Sequence, residues 1–262
     1  MLIDVHAHFY SEEGGIPDAA ERNKNRLLYS GKYGITKICA SMLGSHGIKS
    51  PMYLPSLEDM IAGNRGMAEL SHAYPGTIYA YCYINPNFGQ KALDELACCI
   101  EELGMVGLKL GASTKCTSPI MYPLIEKCIE YDIPILQHIY QRKPGPTPNQ
   151  NASDALELAE MANRFPKAKI IHAHIGGGGD WEFGLKAAAL AKNIWIDISG
   201  SGVDSGMLEM AIAMLGPKRI LFATDETMAT GIAKFEALEL TKQQRDMIAY
   251  QNALKLFGRR LK

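Results

Sequence analysis

The sequence predicts a (β/α)8 TIM barrel: a single domain spanning residues 1–262 with its active site at the C-terminal ends of the strands. Three observations predict it. Apolar runs rich in β-branched residues alternate with amphipathic helical segments along the whole chain. There are eight such runs in 262 residues, or about 33 residues per unit, the repeat of a closed parallel barrel. Histidines, a lysine and an aspartate stand near the ends of several runs, where a barrel gathers its chemistry.

The runs, in order, are Leu2 to Phe9, Thr36 to Met42, Thr77 to Ile84, Met105 to Leu110, Ile133 to Ile139, Lys169 to Ile175, Asn193 to Ser199 and Arg219 to Thr224. Helical periodicity marks Leu57 to Ala73, Lys91 to Leu103, Asp154 to Arg164, Trp181 to Ala191 and the terminal stretch Thr241 to Phe257. An open doubly wound sheet normally carries a glycine fingerprint after its first strand. This chain has His6 and His8 there instead.

A chain of this length with 47% apolar residues can bury a large core, and no low-complexity segment or linker divides it. The net charge of −1 is spread without a basic stripe, so neither nucleic acid nor an anionic membrane is expected as a partner. A small-molecule substrate is expected, and homo-oligomerisation is left open. No apolar stretch nears the ~20 residues that cross a bilayer. With the first strand starting at Leu2, a secretory leader is not expected and a cytoplasmic location is. The six cysteines include no Cys-x-x-Cys pair and read as reduced core thiols.

The chemistry begins at Asp4-Val5-His6-Ala7-His8. Alternation along a strand puts Asp4, His6 and His8 on one face. Imidazole nitrogen and carboxylate oxygen suit a divalent ion such as zinc, with manganese as the other candidate, and His6, His8, His138 and Asp225 supply a set. Such an ion lowers the pKa of bound water towards ~7. Asp225 then doubles as general base, His174 as the catalytic group beside the water, and Asp4 as a support that orients an imidazole.

Lys109 has three readings: a carboxylated bridge that would bring a second metal, an ammonium for a substrate carboxylate, or an ion-pair partner inside the barrel. The last two are preferred. Arg142 and Lys143 either clamp an anionic substrate or lie in a solvated loop. Ser199, Asn85 and His46 either touch substrate or cap their loops. His172 reads as a satisfied interior residue. The run Gly176 to Gly179 lacks the lysine and hydroxyl of a phosphate loop, and Asp180 after it reads as a helix cap.

Taken together, Ile3-Asp4-Val5-His6-Ala7-His8, Gly107-Leu108-Lys109-Leu110, Gln137-His138, His174-Ile175-Gly176-Gly177, Thr224-Asp225 and the closing Asn252-Ala253-Leu254-Lys255-Leu256-Phe257 resemble the amidohydrolase superfamily, in its amidohydrolase-2 branch of TIM-barrel metal-dependent hydrolases. The resemblance covers nearly the whole chain. It implies a mononuclear site with His6, His8, His138 and Asp225 as ligands and His174 as a catalytic group, or two metals where the strand-four lysine is carboxylated. The chain departs from the pattern at Glu226-Thr227, where an aromatic residue and a proline are expected, and in its additional His172.

The expected activity is hydrolysis of an amide, ester or lactone of a small, carboxylate-bearing substrate. The alternative is a metal-dependent non-oxidative decarboxylase resembling aminocarboxymuconate semialdehyde decarboxylase; the chain is shorter than expected for those, which favours hydrolysis. A metal-free lactonase is a lesser option. A further alternative, a ligand-binding barrel without turnover, requires that Asp225 or His174 be dispensable.

Overall fold

The computed structural model describes residues 1–140, 151–175 and 179–262. Eight parallel strands follow one another around the sheet in chain order: β1 (Leu2–His8), β2 (Ile35–Ser41), β3 (Ile78–Ile84), β4 (Gly107–Leu110), β5 (Pro134–Gln137), β6 (Lys169–His172), β7 (Ile194–Asp197) and β8 (Ile220–Leu221). The last meets the first: Val5 donates its amide to the Phe222 carbonyl at 3.1 Å and Asp225 donates to that of His6 at 2.6 Å. The expected (β/α)8 barrel is therefore the fold.

Several strands stop short of the apolar runs that announce them. The run to Ile175 leaves the ladder after His172 because His174 has φ +67°, and Asp225, following the run to Thr224, has φ +54°. Left-handed backbone cannot continue a strand, and for residues other than glycine it costs roughly 1–2 kcal/mol. His46, just beyond β2, is a third example at φ +49°. Such strain gathers at functional sites, and these three lie at the same end of the barrel; the fourth such residue among those described, Asp132 at φ +55°, precedes β5 at the other end.

The helices are α1 (Ala19–Lys32), α2 (Leu57–Ala73), α3 (Gln90–Ala97), α4 (Tyr122–Glu130), α5 (Ala155–Arg164), α6 (Trp181–Ala188), α7 (Met207–Leu215), α8 (Met228–Ala237), α9 (Lys242–Asp246) and α10 (Asn252–Phe257). Helix α2 has the expected bounds and is capped by Ser56, whose side chain accepts the Asp59 amide. Asp154 and Glu157 form a reciprocal capping box on α5, and Asp180 caps α6 as expected. The expected helices at Lys91–Leu103 and Thr241–Phe257 are each broken by a wide i→i+5 turn, at Cys98–Glu102 and Met247–Gln251.

Alternation along the strands divides the core in two. Ala80, Cys82, Ile135, Ile170 and Ile196 face outward against helical residues such as Met60, Leu96, Leu158 and Phe235. Tyr81, Leu136 and Ile171 pack in a second cluster with Leu256, Phe257 and Leu261 of the terminal helices, which close the end of the barrel away from the site. All six cysteines are free thiols, five of them buried. Among the described residues no helix is long and apolar enough to cross a membrane.

Candidate metal centre

Four strands and the turn after β8 bring His6, His8, Lys109, His138, His174 and Asp225 into one cleft. His6 is wholly buried. Its Nδ1 lies 2.9 Å from Asp197 Oδ2, and since an ionised carboxylate only accepts, His6 carries its proton there and turns the Nε2 lone pair into the cleft. His8 Nδ1 likewise donates to the Ser41 carbonyl at 3.2 Å, and His174 Nδ1 to that of Ile139 at 3.4 Å. Three imidazoles thus present Nε2 lone pairs to one place.

What they face is also electron-rich. Asp225 Oδ1 lies 3.4 Å from His6 Nε2 and 3.0 Å from His8 Nε2, while Oδ2 lies 3.1 Å from His174 Nε2. The two Nε2 atoms of His6 and His8 are 3.3 Å apart. Acceptors held this close require a cation or proton among them. His138 joins the same cluster, its ring centroid 4.7 Å from that of His174 and 5.0 Å from that of Tyr53, and its buried Nε2 has no hydrogen-bond partner among the described residues. An orphaned buried nitrogen beside converging lone pairs and a carboxylate fits a divalent metal ion. His6, His174 and Asp225 form a group whose ligand atoms all lie within 4.8 Å of one another.

The electrostatics keep the imidazoles ready to ligate. Burial, reinforced by Lys109, lowers the His6 pKa to about 4. Burial likewise holds His138 well below its usual value, with His174 and Lys109 adding to the effect. Both are neutral at pH 7. Burial would raise the Asp225 carboxyl, but His6, His174 and His8 outweigh it and keep the group ionised. Lys109 Nζ sits 2.8 Å from His6 Nε2 and is pushed down to about 8 by burial, against the pull of Asp225, Asp197 and Glu226. Among the described residues no carboxylate oxygen lies within ion-pairing distance of Lys109.

Asp197, at the end of β7, is the member the sequence reading missed. One of its oxygens holds His6; the other accepts the His174 amide (3.0 Å), the Ser199 amide (3.0 Å) and the Ser199 hydroxyl (2.6 Å). Burial alone would raise its carboxyl, yet His6, His174 and Ser199 hold it far below the ordinary carboxylate range. Ser199 is fully buried in holding Asp197. Asp4 departs from expectation. The β1–β2 pairing shifts register between Asp4 and Ala7, which breaks simple alternation, and the Asp4 carboxylate accepts from the His6 amide (3.1 Å), the Thr224 amide (3.1 Å) and the Thr224 hydroxyl (2.5 Å). It fixes backbone at the β1–β8 seam, and Asp197 is the acid that orients an imidazole.

Asn85 is turned away, its side chain donating to the Pro55 carbonyl and accepting from the Asn87 amide. His46 Nε2 lies 3.2 Å from the Phe9 carbonyl oxygen, with its ring 4.6 Å from that of Tyr10 and 6.3 Å from that of His8. His172 is interior as expected but only half satisfied: its Nδ1 lies 3.1 Å from the Ala173 carbonyl oxygen, and its Nε2 has no hydrogen-bond partner among the described residues. Arg142 and Lys143, and Gly176 to Gly178 of the glycine run, lie outside the described residues. The cleft, about 80 Å³, is lined by Leu43, Met52, Tyr53 and Tyr83 together with the polar cluster and Glu226.

A family model described as amidohydrolase matches residues 3–259. No curated protein sequence matches the chain. Among solved structures, the chain is similar to a dihydroxybenzoic acid decarboxylase from a Polaromonas species with bound manganese and the inhibitor 2-nitroresorcinol (TM-score 0.72, 19% identity, 98% of this chain and 96% of that one). It is similar to a 5-carboxyvanillate decarboxylase from Sphingomonas paucimobilis (TM-score 0.74, 16% identity, 98% of each chain). It also resembles a 4-oxalomesaconate hydratase from Rhodopseudomonas palustris (TM-score 0.72, 17% identity, 100% of this chain and 96% of that one).

Proposed function

Because the chain belongs to the amidohydrolase family, whose members are metal-dependent, we propose that it hydrolyses an amide, ester or lactone of a small carboxylate-bearing substrate, with His6, His8, His138 and Asp225 holding one zinc or manganese ion. The observation that carries this reading is the convergence of imidazole lone pairs and the Asp225 carboxylate on one point, beside a buried His138 nitrogen without a partner among the described residues. The bound ion would supply Lewis acidity, polarising a carbonyl and lowering the pKa of water towards ~7.

The chain's own groups then divide the work. Asp225, held ionised and 17% exposed in its side chain, accepts a proton from the attacking water. Its Oδ2 faces His174, so that imidazole takes part in passing the proton to the leaving group and in stabilising the developing oxyanion. Lys109, a buried cation without a carboxylate partner among the described residues, is the group for the substrate's carboxylate. A second metal would require Lys109 in its carboxylated form. Leu43, Met52, Tyr53 and Tyr83 in the lining limit the water around the reacting groups.

A second reading, non-oxidative decarboxylation, is favoured by that partly aromatic lining and by the activities named for the similar structures. Here Lys109 would orient the departing carboxylate and His174 would deliver a proton to carbon.

The test incubates manganese- or zinc-loaded protein with lactones, esters and amides bearing a carboxylate, and with hydroxybenzoic acids, while following both acid release and carbon dioxide. Hydrolysis predicts acid release without carbon dioxide. Stoichiometric carbon dioxide would replace hydrolysis with the second reading, and metal-loaded protein inert to both panels would favour a ligand-binding barrel.

A further inference from the structure

We infer that Arg26, on α1, is a positioning residue for the metal centre: it clamps the backbone of Asp225 in the left-handed conformation that aims the carboxylate at the histidines. The inference rests on the proposed metal site. Arg26 Nη2 donates to the Asp225 carbonyl at 2.5 Å and, more distantly, to that of Glu226 at 3.5 Å, while Nη1 donates to the Thr224 hydroxyl at 3.1 Å. The same Nη1 lies 4.0 Å from Asp4 Oδ2, whose carboxylate accepts from that Thr224 hydroxyl and from the Thr224 amide. One planar fork therefore binds three consecutive residues at the end of β8.

The clamp acts where the backbone most needs it. Asp225 has φ +54°, a conformation that residues with a side chain abandon unless their surroundings fix it. Its amide is tied to the His6 carbonyl on one side, and Arg26 ties its carbonyl on the other. With both peptide groups fixed, the side chain has one exit, between His8 and His174. Without the guanidinium the Asp225–Glu226 peptide is free to rotate towards ordinary φ, and the carboxylate leaves the imidazoles.

Arg26 is also reachable. It is only 9% exposed in its side chain, yet it forms part of the wall of a groove of about 700 Å³ between α1 and α8, with Tyr10, Tyr29, Met228, Ile232 and Glu226. Truncation would open the guanidinium's place to that groove, so a small guanidinium ion can be supplied from solution. A lysine cannot reproduce the fork and is expected to restore only part of the function.

The experiment compares wild type, Arg26→Ala and Arg26→Lys for Mn(II) affinity by electron paramagnetic resonance and for amide hydrogen exchange over 222–228. Thermal melts check that each variant is folded. The expected result is at least about tenfold weaker Mn(II) binding in Arg26→Ala, a smaller loss in Arg26→Lys, and partial recovery of the alanine variant with guanidinium chloride at tens of millimolar. Exchange over 222–228 should rise in the metal-free alanine variant. Wild-type Mn(II) affinity together with unchanged exchange in a folded Arg26→Ala overturns the inference. Should the alanine variant fail to fold, Arg26→Lys decides: unchanged affinity and exchange overturn it. Wild-type protein that binds no Mn(II) overturns the metal site itself and this inference with it, whereas equally strong binding with unchanged exchange in all three proteins overturns only the role of Arg26.

Discussion

Asp225→Asn is expected to lower kcat/KM by about 10²–10⁴-fold and to weaken metal binding, while leaving the barrel folded. The substitution preserves shape and removes the charge around which the site is arranged. Asp225 Oδ1 faces His6 and His8 and Oδ2 faces His174, so an amide must turn its NH2 towards one of these sides. Turned to His8, it donates to a nitrogen needed for the metal; turned to His174, it cannot accept a proton in that direction. Either way the general base is gone. Metal titration and steady-state kinetics check this together, and a variant with wild-type kcat/KM would remove Asp225 from the mechanism.

Asp197→Asn is the second large effect. The expected loss is about 10–100-fold in metal affinity, because the change acts on the His6 tautomer. Asp197 Oδ1 accepts three hydrogen bonds, from the His174 amide and from the amide and hydroxyl of Ser199. An asparagine oxygen would keep that position, leaving its NH2 against His6 Nδ1. His6 Nδ1 must then accept, so its proton moves to Nε2, the atom that points into the cleft. Competition with a chelating indicator measures the loss, and ¹⁵N chemical shifts of the His6 ring report the tautomer. An unchanged tautomer with unchanged affinity would show that Asp197 only braces the β7 turn.

The legible part of this protein was what repeats and what sits at strand ends. Eight apolar runs gave the barrel, and His6, His8, Lys109, His138, His174 and Asp225 do come together in the cleft. The illegible part depends on contacts between distant segments. Asp197 had a readable sign: an acid inside Ile-Trp-Ile-Asp-Ile-Ser, in register with Ser199, is costly unless something holds it. Its partner, His6, is 191 residues away. Arg26 had no such sign, being one cation on a polar helix, and its bond to Thr224 spans 198 residues. The place of Asp4 is not legible from strand alternation, because the β1–β2 register shifts between Asp4 and Ala7. Strand ends were overrun because left-handed backbone at His174 and Asp225 leaves no mark in hydrophobicity.

The central claim is that these strand ends hold a metal ion, and elemental analysis of the purified protein tests it most directly, beside a His6→Ala/His138→Ala double variant prepared identically. The account predicts about one zinc or manganese ion per chain, absent from the double variant. Wild-type protein that carries no metal and takes up none from divalent salts would contradict it.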